Sequence, residues 1–356
     1  MDLHGGNIYK LLRNGKEDIL DYSSNINPFG VPETLKKSIL ENLDILEKYP
    51  DINYVGLKKS IGDYNNISKD NIIVGNGATE ILFLYMKALK PKKVLIVSPT
   101  FAEYERSLKD LDAGVSFFKL DEVNDFILDI EKLKKEAINY DLLVLCNPNN
   151  PTGSFVEKEE LLKLNNHLEK FKTKIFIDEC FIEFIDDWEK KSLINLKSDN
   201  IFILRALTKF FALPGIRLGY GITYDHNIIN KIENIREPWS VNAFADLAGK
   251  IILKDTQYID KTKKWILEEK IWFYEKLKEI NKIKVYRSNS NFILVKLEEI
   301  SAENFCKLMI EKGILVRNAS NFRFLDDKYV RFAIKDRKKN RKVLKIIKEV
   351  LKWEDF

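Results

Sequence analysis

Two charged side chains stand beside apolar stretches where buried strands are the expected structure. Lys209 follows the run "IFIL" (201–204), and Asp178 ends the run "KIFID" (174–178). A buried lysine is costly unless its amine is paired or used covalently, and burial lowers its pKa toward the range of a nucleophile. A carboxylate that ends a buried strand must also be paired or hydrogen-bonded. Both residues are therefore candidates for chemistry, although Asp178 alone also fits a structural helix cap.

Two further turns follow apolar runs of the same kind. The turn "NGATE" (76–80) follows "NIIVG" and opens a helical pattern, and "NPNNPTG" (147–153) follows "DLLVLC". A glycine turn that opens a helix presents free backbone N–H groups and a threonine hydroxyl, which suits a phosphate group. Taken singly, each turn also fits a plain structural loop.

Together these turns predict a cofactor site. Ligands of a parallel sheet bind at the carboxyl ends of its strands, so the phosphate turn, an asparagine, Asp178 and Lys209 would share one edge. The set suits pyridoxal 5′-phosphate (PLP), because a lysine can bond the cofactor and an aspartate can keep its pyridinium nitrogen protonated. An asparagine can donate to the phenolic oxygen. Arg217, eight residues after Lys209, is the candidate cation for the phosphate.

The pattern of the chain indicates the fold that must position these groups. Short apolar, β-branched runs alternate with helical patterns through the middle of the chain, which predicts an α/β domain with a mostly parallel central sheet. After about residue 240 a long helical region and a smaller α+β unit follow. We predict a large domain of residues 36–240 and a small domain of residues 241–356 with the N-terminal segment 1–35.

Composition narrows the class of protein. The 59 Lys and Arg and the 54 Asp and Glu residues are spread along the chain, and the net charge of +5 gives little support for nucleic-acid or membrane binding. The three cysteines and three histidines have no metal-ligand spacing, so we predict no metal site. No apolar run resembles a signal peptide or reaches membrane-spanning length, so the cytoplasm is the expected location.

The ordered motifs "NGATE", "PTFAEY", "NPNNPTG", "DEC" and "LTKFFALPGIRLGY" resemble the PLP-dependent enzymes of fold type I, the aspartate-aminotransferase-like fold. The resemblance is strongest to the group that contains histidinol-phosphate aminotransferase and threonine-phosphate decarboxylase, and it covers nearly the whole chain. It implies that Lys209 bonds the cofactor, Asp178 pairs with the pyridine nitrogen, Asn150 contacts the ring oxygen and Phe101 stacks on the ring. The residues that it implies for the cofactor phosphate are Gly77, Ala78, Thr79, Thr208 and Arg217.

The resemblance also implies an assembly and a substrate. Tyr49 would reach the cofactor of the partner subunit, which implies a homodimer. Arg331 would clamp the substrate α-carboxylate, and Arg317 would meet a substrate phosphate. Three N-terminal residues would close over that phosphate, namely His4, Asn7 and Asn27. Either arginine could instead form a surface salt bridge.

Several stretches are more similar to the decarboxylases than to the aminotransferases, among them "HGGN" (4–7), "DYSSNINPFG" (21–30) and "PWSVNAFADLAG" (238–249). We therefore expect a decarboxylase, a carboxy-lyase, that acts on O-phospho-L-threonine or O-phospho-L-serine. The alternatives are a histidinol-phosphate-type aminotransferase that uses 2-oxoglutarate, and a non-catalytic sensor that binds PLP or a phosphorylated metabolite.

Two positions depart from the pattern of the group. Phe181, three residues after Asp178, stands where the aminotransferases usually carry a tyrosine hydroxyl near the ring oxygen. Ala206, three residues before Lys209, stands where relatives carry Ser or Thr toward the phosphate. The second change removes a hydrogen bond of about 1 kcal/mol. Neither departure removes a group that the expected chemistry requires.

Overall fold

A computed structural model of the protein describes residues 4–352. The strands are β1 (Leu20–Asp21), β2 (Ile72–Asn76), β3 (Lys93–Ser98), β4 (Gly114–Lys119), β5 (Leu142–Cys146), β6 (Lys174–Asp178), β7 (Ile201–Ala206), β8 (Leu218–Thr223), β9 (Ile283–Val285), β10 (Phe292–Leu297), β11 (Ile314–Leu315), β12 (Arg317–Asn318) and β13 (Tyr329–Ala333). The helices are α1 (Ile8–Arg13), α2 (Glu33–Glu41), α3 (Val55–Asn65), α4 (Ala78–Leu89), α5 (Glu103–Arg106), α6 (Ile130–Ala137), α7 (Lys158–Leu168), α8 (Trp188–Lys191), α9 (His226–Ile235), α10 (Ala243–Ile252), α11 (Thr256–Lys278), α12 (Ala302–Glu311) and α13 (Arg337–Lys352).

A seven-stranded sheet forms the centre of the fold, in the order β2-β8-β7-β6-β5-β3-β4. Strand β8 is antiparallel to both of its neighbours, and all other neighbouring strands are parallel. The predicted α/β fold with a mostly parallel sheet is therefore confirmed. The strands β5, β6 and β7 are apolar and buried because helices cover both faces of such a sheet.

The register of this sheet aligns the ends of its central strands. Cys146 at the end of β5 lies opposite Asp178, and Asp178 lies opposite Leu204 of β7. The turns that follow β5, β6 and β7 therefore emerge side by side at one edge. The helix α4, which follows β2, packs against β2, β7 and β8 through an apolar face that includes Ile81 and Tyr85.

A second, antiparallel sheet has the order β12-β13-β10-β9 and is covered by helices from the last third of the chain. The N-terminal strand β1 pairs with β11, and Ala333 at the end of β13 donates its backbone N–H to the carbonyl of Tyr22. The N-terminal segment thus lies against this sheet, as the sequence predicted, while the domain boundaries near residues 36 and 240 stay a prediction. The long helical region expected after residue 240 is divided into α10 and α11, because Asp255 caps the start of α11 at Tyr258 N.

No helix within residues 4–352 is long and apolar enough to span a bilayer. In the same described range, no group of three or more His, Cys, Asp and Glu side chains could hold a metal ion.

Candidate active site

A cleft of about 410 Å³ opens at the carboxyl edge of the large sheet, between that sheet and the small antiparallel one. This volume is in the range of small-molecule sites in proteins. Most of the residues that the sequence singled out line it, namely His4, Ala78, Thr79, Phe101, Asn150, Asp178, Thr208, Lys209, Arg217, Arg317 and Arg331. The structure therefore brings into one cleft residues that lie more than three hundred positions apart in the chain.

Lys209 lies in the turn after β7 and extends its amine into the cleft. Burial lowers the pKa of this amine, and the nearby guanidinium groups of Arg331 and Arg217 lower it further. Within the described part of the chain, no hydrogen bond or ion pair occupies the Lys209 amine. A lysine with a lowered pKa and no partner is prepared to act as a nucleophile.

Asp178 ends β6 on the floor of the cleft. Its Oδ1 accepts a hydrogen bond from the backbone N–H of Cys180 at 2.8 Å, and its Oδ2 accepts one from the hydroxyl of Tyr104 at 2.7 Å. Burial raises the pKa of this carboxyl, while both hydrogen bonds favour the ionised form. A cationic group placed over Asp178 would complete the pairing that a buried carboxylate requires.

Tyr104 was not assigned a role from the sequence. It lies in the short helix α5 and is fully buried, and its motif "PTFAEY" drew attention only to Phe101. The sequence did offer one indication. Tyr104 comes three residues after Phe101, and residues at this spacing lie on the same side of a helical turn. The ring of Tyr104 meets that of Phe101 edge to face, with centroids 5.8 Å apart.

The turn before α4 has the features of a phosphate site. Within residues 4–352 no side chain caps this helix, so its first N–H groups are available, and Ala78 and Thr79 line the cleft at this point. Gly77 has a φ of +82°, and a Cβ there would lie 2.6 Å from Arg217 Nη2, so only glycine lets the guanidinium approach the turn. A helix N-terminus with an arginine and a threonine hydroxyl suits a phosphate dianion.

Arg331 connects Asn150 with the N-terminal residue Ser23, and all three line the cleft. It is buried, its Nη1 donates to Asn150 Oδ1, and its Nη2 donates to the carbonyl of Ser23 at 2.8 Å. Its Nε has no partner among the described residues. Burial and the neighbouring Arg317 lower the pKa of Arg331 to about 9, which leaves it charged at neutral pH and favours an added anion.

Arg317 lies at the other side of the cleft and is only 5% exposed. Its Nη2 donates to Asn321 Oδ1 at 2.8 Å, and its guanidinium lies 5.2 Å from the centre of the Phe322 ring. Arg317 and Arg331 are both buried, so neither is a surface residue. The two side chains face the same cavity from β12 and β13, which pair antiparallel with Arg317 opposite Arg331.

The N-terminal residues close one side of the cleft. His4 Nε2 lies 2.9 Å from Glu103 Oε1, and its ring lies 5.5 Å from that of Phe101. Gly6 donates its backbone N–H to Ser23 Oγ at 2.8 Å. Gly5 packs so tightly that a Cβ there would lie 2.1 Å from the carbonyl oxygen of Ser23. The motif "HGGN" therefore positions His4 over the cleft.

Comparison with known proteins agrees with this geometry. The family model described as aminotransferase class I and II matches residues 17–347. The chain belongs to this family.

A threonine-phosphate decarboxylase of Salmonella typhimurium is 35% identical over 98% of this chain and 96% of its own length. A histidinol-phosphate aminotransferase of Methanococcus aeolicus is 32% identical over 94% of this chain and 91% of its own. A crystal structure titled histidinol-phosphate aminotransferase, from Clostridium acetobutylicum, is 42% identical with a TM-score of 0.88 and covers 93% of this chain and 99% of that one.

The cofactor of the family is PLP, and the residues of this chain fit it. Lys209 would bond the cofactor, Asp178 would face its pyridine nitrogen, and the turn at Ala78 with Arg217 would hold its phosphate. When bound, PLP supplies an electron sink for bonds broken at the substrate Cα. This fit rests on two observations. The buried Asp178 carboxylate forms no ion pair among the described residues, and the N-terminus of α4, which no described side chain caps, lies beside Arg217.

Four of the predicted site residues do not line the cleft. Gly77 lies behind Arg217, and Asn7 is exposed at the start of α1. Tyr49 is 79% exposed and stacks on Trp239, with ring centroids 4.7 Å apart. Asn27 corrects an expectation, because its Nδ2 donates to Phe210 O at 2.7 Å and to Thr262 Oγ1 at 2.8 Å. Its amide is used inside the protein and is not turned toward a substrate phosphate.

Asn25 and Ser23 are among the residues that line the cleft without having been predicted, and the two departures from the group pattern, Phe181 and Ala206, line it as well. Asn25 has its Oδ1 unpartnered among the described residues, and Ser23 holds both Arg331 and Gly6. Phe181 lines the cleft with its ring edge to face against Phe292, so no hydroxyl replaces the missing tyrosine at this position. Ala206 also lines the cleft and offers no hydroxyl.

Proposed function

We propose that this enzyme decarboxylates an O-phosphorylated hydroxy-amino acid, O-phospho-L-threonine or O-phospho-L-serine. The observation that supports the proposal is the excess of cations in one cleft. Arg217, Arg317, Arg331 and Lys209 line it, whereas its lining carboxylates are Asp178 and Glu103. Glu103 is already paired with His4 and Arg106. We assign Arg217 to the cofactor phosphate, and Arg331 and Arg317 to a carboxylate and a phosphate on one substrate.

The two arginines would fix the orientation of the substrate. Arg331 Nε is free for a carboxylate, and the guanidinium is held in place by Asn150 and Ser23. Arg317 would hold the phosphate at the other end of the same molecule. Two anchored ends determine which bond at Cα is directed for cleavage, and in this proposal it is the bond to the carboxylate rather than the bond to the Cα hydrogen.

The net reaction replaces the carboxylate with a proton. The amino acid and one proton from solvent give a primary amine and CO2, and the phosphate ester stays intact. The amine of Lys209 is the candidate donor of the proton to Cα, because burial and neighbouring cations lower its pKa. The product is aminopropanol phosphate from phosphothreonine or ethanolamine phosphate from phosphoserine.

A second candidate is a histidinol-phosphate-type aminotransferase that uses 2-oxoglutarate. It is favoured by the Clostridium structure, which carries that title and is 42% identical to this chain. The two functions differ in one requirement, since transamination needs a keto acid to accept the amino group and decarboxylation does not. The name of the Salmonella relative and the presence of Phe181 in the cleft favour the decarboxylase.

A coupled assay tests the proposal. PLP-loaded protein would be offered O-phospho-L-threonine, O-phospho-L-serine and L-histidinol phosphate, each with and without 2-oxoglutarate, and both CO2 and amine product would be measured. We expect CO2 from a phospho-amino acid without a keto acid, no product from Lys209→Ala, and normal turnover by the exposed α9 variant Lys231→Ala. Turnover of histidinol phosphate alone, and only with 2-oxoglutarate, would establish the aminotransferase instead.

We further propose a homodimer in which Tyr49 reaches the partner's cofactor. Its 79% exposure, together with exposed Leu46, gives it an accessible ring in each copy. A mixed dimer of Tyr49→Ala and Lys209→Ala subunits would contain one site with both residues intact. Mixing the two inactive variants should therefore restore activity, and a lack of restoration in dimers shown to be mixed would reject the shared site.

A further inference from the structure

Consecutive backbone carbonyls of one segment are held by buried side chains from the small-sheet side of the cleft. This segment, Ser23–Asn27, is called the cleft segment, and its first three residues line the cavity. Arg331 Nη2 donates to Ser23 O at 2.8 Å, and Asn291 Nδ2 donates to Asn25 O at 3.0 Å. These hydrogen bonds hold the cleft segment through its backbone carbonyls, independently of what its side chains contact.

Lys335 holds the remaining two carbonyls of this series. Its Nζ donates to Ser24 O and to Ile26 O, both at 3.2 Å. The residue is only 8% exposed, and none of the ion pairs among the described residues includes it. A buried ammonium without a carboxylate partner is unfavourable for stability, and an apolar side chain of the same size would pack there at lower cost. Packing alone therefore does not account for a lysine at this place.

The other end of the cleft segment is bonded to the lysine of the active site. Asn27 donates its backbone N–H to the carbonyl of Lys209 at 3.2 Å, and its side chain donates to Phe210 O. Asn25, whose Oδ1 has no partner among the described residues, lies midway between the two residues whose carbonyls Lys335 binds. A shift of these carbonyls would therefore move Asn25, which lines the cleft, and strain the contact with Lys209.

We propose that Lys335 is a positioning residue, whose ammonium group holds the cleft segment in the conformation that binds the substrate. Lys335 does not line the cleft itself. It acts through Ser24 and Ile26, and it thereby sets Asn25 relative to Arg331. The inference goes beyond the proposed function, and only its kinetic test rests on phosphothreonine being the substrate.

The charge of Lys335 changes within an accessible pH range. Burial lowers the pKa of its amine to about 8, with Lys339 and Lys209 lowering it further and Asp21 and Asp336 opposing them. Lys339 lies in α13 and Asp336 just before it, while Lys209 lies in the turn after β7 and Asp21 at the end of β1. Glu269 of α11 accepts hydrogen bonds from Arg337 and Asn340. Below about pH 8 the ammonium is charged and binds both carbonyls, and above it the neutral amine binds them weakly.

The test compares PLP-loaded wild type, Lys335→Met, Lys335→Arg and the control Lys338→Met, an exposed lysine of α13 three residues further along the chain. For Lys335→Met we expect KM for O-phospho-L-threonine to rise by about tenfold or more, with a smaller change in kcat, because hydrogen bonds from a charged donor are lost. Lys335→Arg should retain most of the affinity. Unchanged KM in a folded Lys335→Met protein would overturn the proposal.

Hydrogen exchange measured by mass spectrometry gives a readout that needs no turnover. Peptides that cover residues 21–30 should exchange faster in Lys335→Met than in wild type or Lys338→Met, while peptides from β5 and β6 should not change. Equal protection of residues 21–30 in all variants would contradict the proposal even if phosphothreonine is not the substrate. If O-phospho-L-threonine is not turned over but residues 21–30 exchange faster in Lys335→Met as expected, only the substrate is rejected and the role of Lys335 stands.

A pH series on the wild type needs no substitution. From about pH 7 to about pH 9.5, apparent KM should rise as Lys335 loses its proton. Lys335→Arg should show no contribution of residue 335 to this rise between about pH 7 and pH 9.5, because arginine stays charged throughout the range. Lys335→Met should not show the part of the rise in KM that the deprotonation of Lys335 causes. The same KM profile in wild type and Lys335→Met would overturn the proposal.

Discussion

Arg331 Nη1 donates to Asn150 Oδ1, and this contact fixes the direction of the Asn150 amide. A guanidinium group has donors only, so the amide must turn its oxygen toward Arg331 and its NH2 group the other way. The NH2 group is the one that can donate to a phenolic oxygen of the cofactor. The expected carboxylate clamp and the expected ring-oxygen contact are therefore parts of one hydrogen-bonded unit.

Replacement of Arg331 by lysine should disturb both parts of this unit. Lysine keeps the charge but loses the planar fork that binds Asn150 and Ser23. We expect KM for the phospho-amino acid to rise by about ten- to a hundredfold, because hydrogen bonds of a charged group are lost. The absorbance maximum of the bound cofactor should shift as well. Arg323→Lys, an exposed substitution outside the cleft, should change neither, and an unaltered spectrum in Arg331→Lys would contradict the link to Asn150.

Tyr104→Phe removes the hydroxyl that donates to Asp178 Oδ2 at 2.7 Å. This hydrogen bond lowers the pKa of Asp178 against the effect of burial, so its loss should raise that pKa further. A less ionised Asp178 stabilises the cofactor less, and we expect kcat to fall by about tenfold at neutral pH. The matched control is Tyr85→Phe, a buried tyrosine of α4 that does not line the cleft. Equal kcat values for the two variants would exclude this role of Tyr104.

The role proposed for Arg317 can be separated from general damage by the choice of substrate. Arg317→Met should lower kcat/KM for O-phospho-L-threonine by about a hundredfold, because a charged hydrogen-bond donor to the phosphate is lost. The low kcat/KM for unphosphorylated L-threonine should change little. If both values fall by the same factor, Arg317 does not contact the phosphate.

The buried ion pair of Glu183 and Arg205 should make stability depend on pH. Glu183 lies 3.4 Å from Arg205 Nη1, its other oxygen has no partner among the described residues, and burial raises its pKa to about 7. Since the folded pKa is above the unfolded value, the protonated form stabilises the fold below about pH 4.5, and this stabilisation is lost as pH rises through about 7.

Glu183→Gln should remove this dependence. We expect the free energy of unfolding of the wild type to fall, relative to Glu183→Gln, by about 2 to 3 kcal/mol between about pH 5 and pH 8. Denaturant titrations at several pH values measure the difference, with the exposed substitution Glu189→Gln as control. Parallel pH profiles of wild type and Glu183→Gln would show that Glu183 ionises normally.

The sequence was sufficient for the features that depend on local chemistry. Lys209, Asp178 and Asn150 each follow an apolar strand, and parallel strands necessarily bring such turns to one edge. The central sheet and most of the cleft could therefore be predicted. The break between α10 and α11 was missed, although Asp255 is a capping residue type, because the helical periodicity continues on both sides of it.

Contacts between distant parts of the chain could not be predicted in the same way. Tyr104 meets Asp178 across 74 positions, and Lys335 meets Ser24 across 311. Neither residue type nor spacing reveals such pairs. Asn27 was assigned to the substrate phosphate by the family resemblance, yet the direction of its amide depends on Phe210 and Thr262, which only the fold brings near.

The fate of the Cα hydrogen tests the central claim most directly. O-phospho-L-threonine would be incubated with PLP-loaded protein in D2O without any keto acid, and the product would be analysed by mass spectrometry and proton NMR. Decarboxylation predicts aminopropanol phosphate that keeps its original Cα hydrogen and gains a single deuterium there, with one CO2 released per amine. A product that has lost the Cα hydrogen, or no product until 2-oxoglutarate is added, would contradict the account and identify a transaminase.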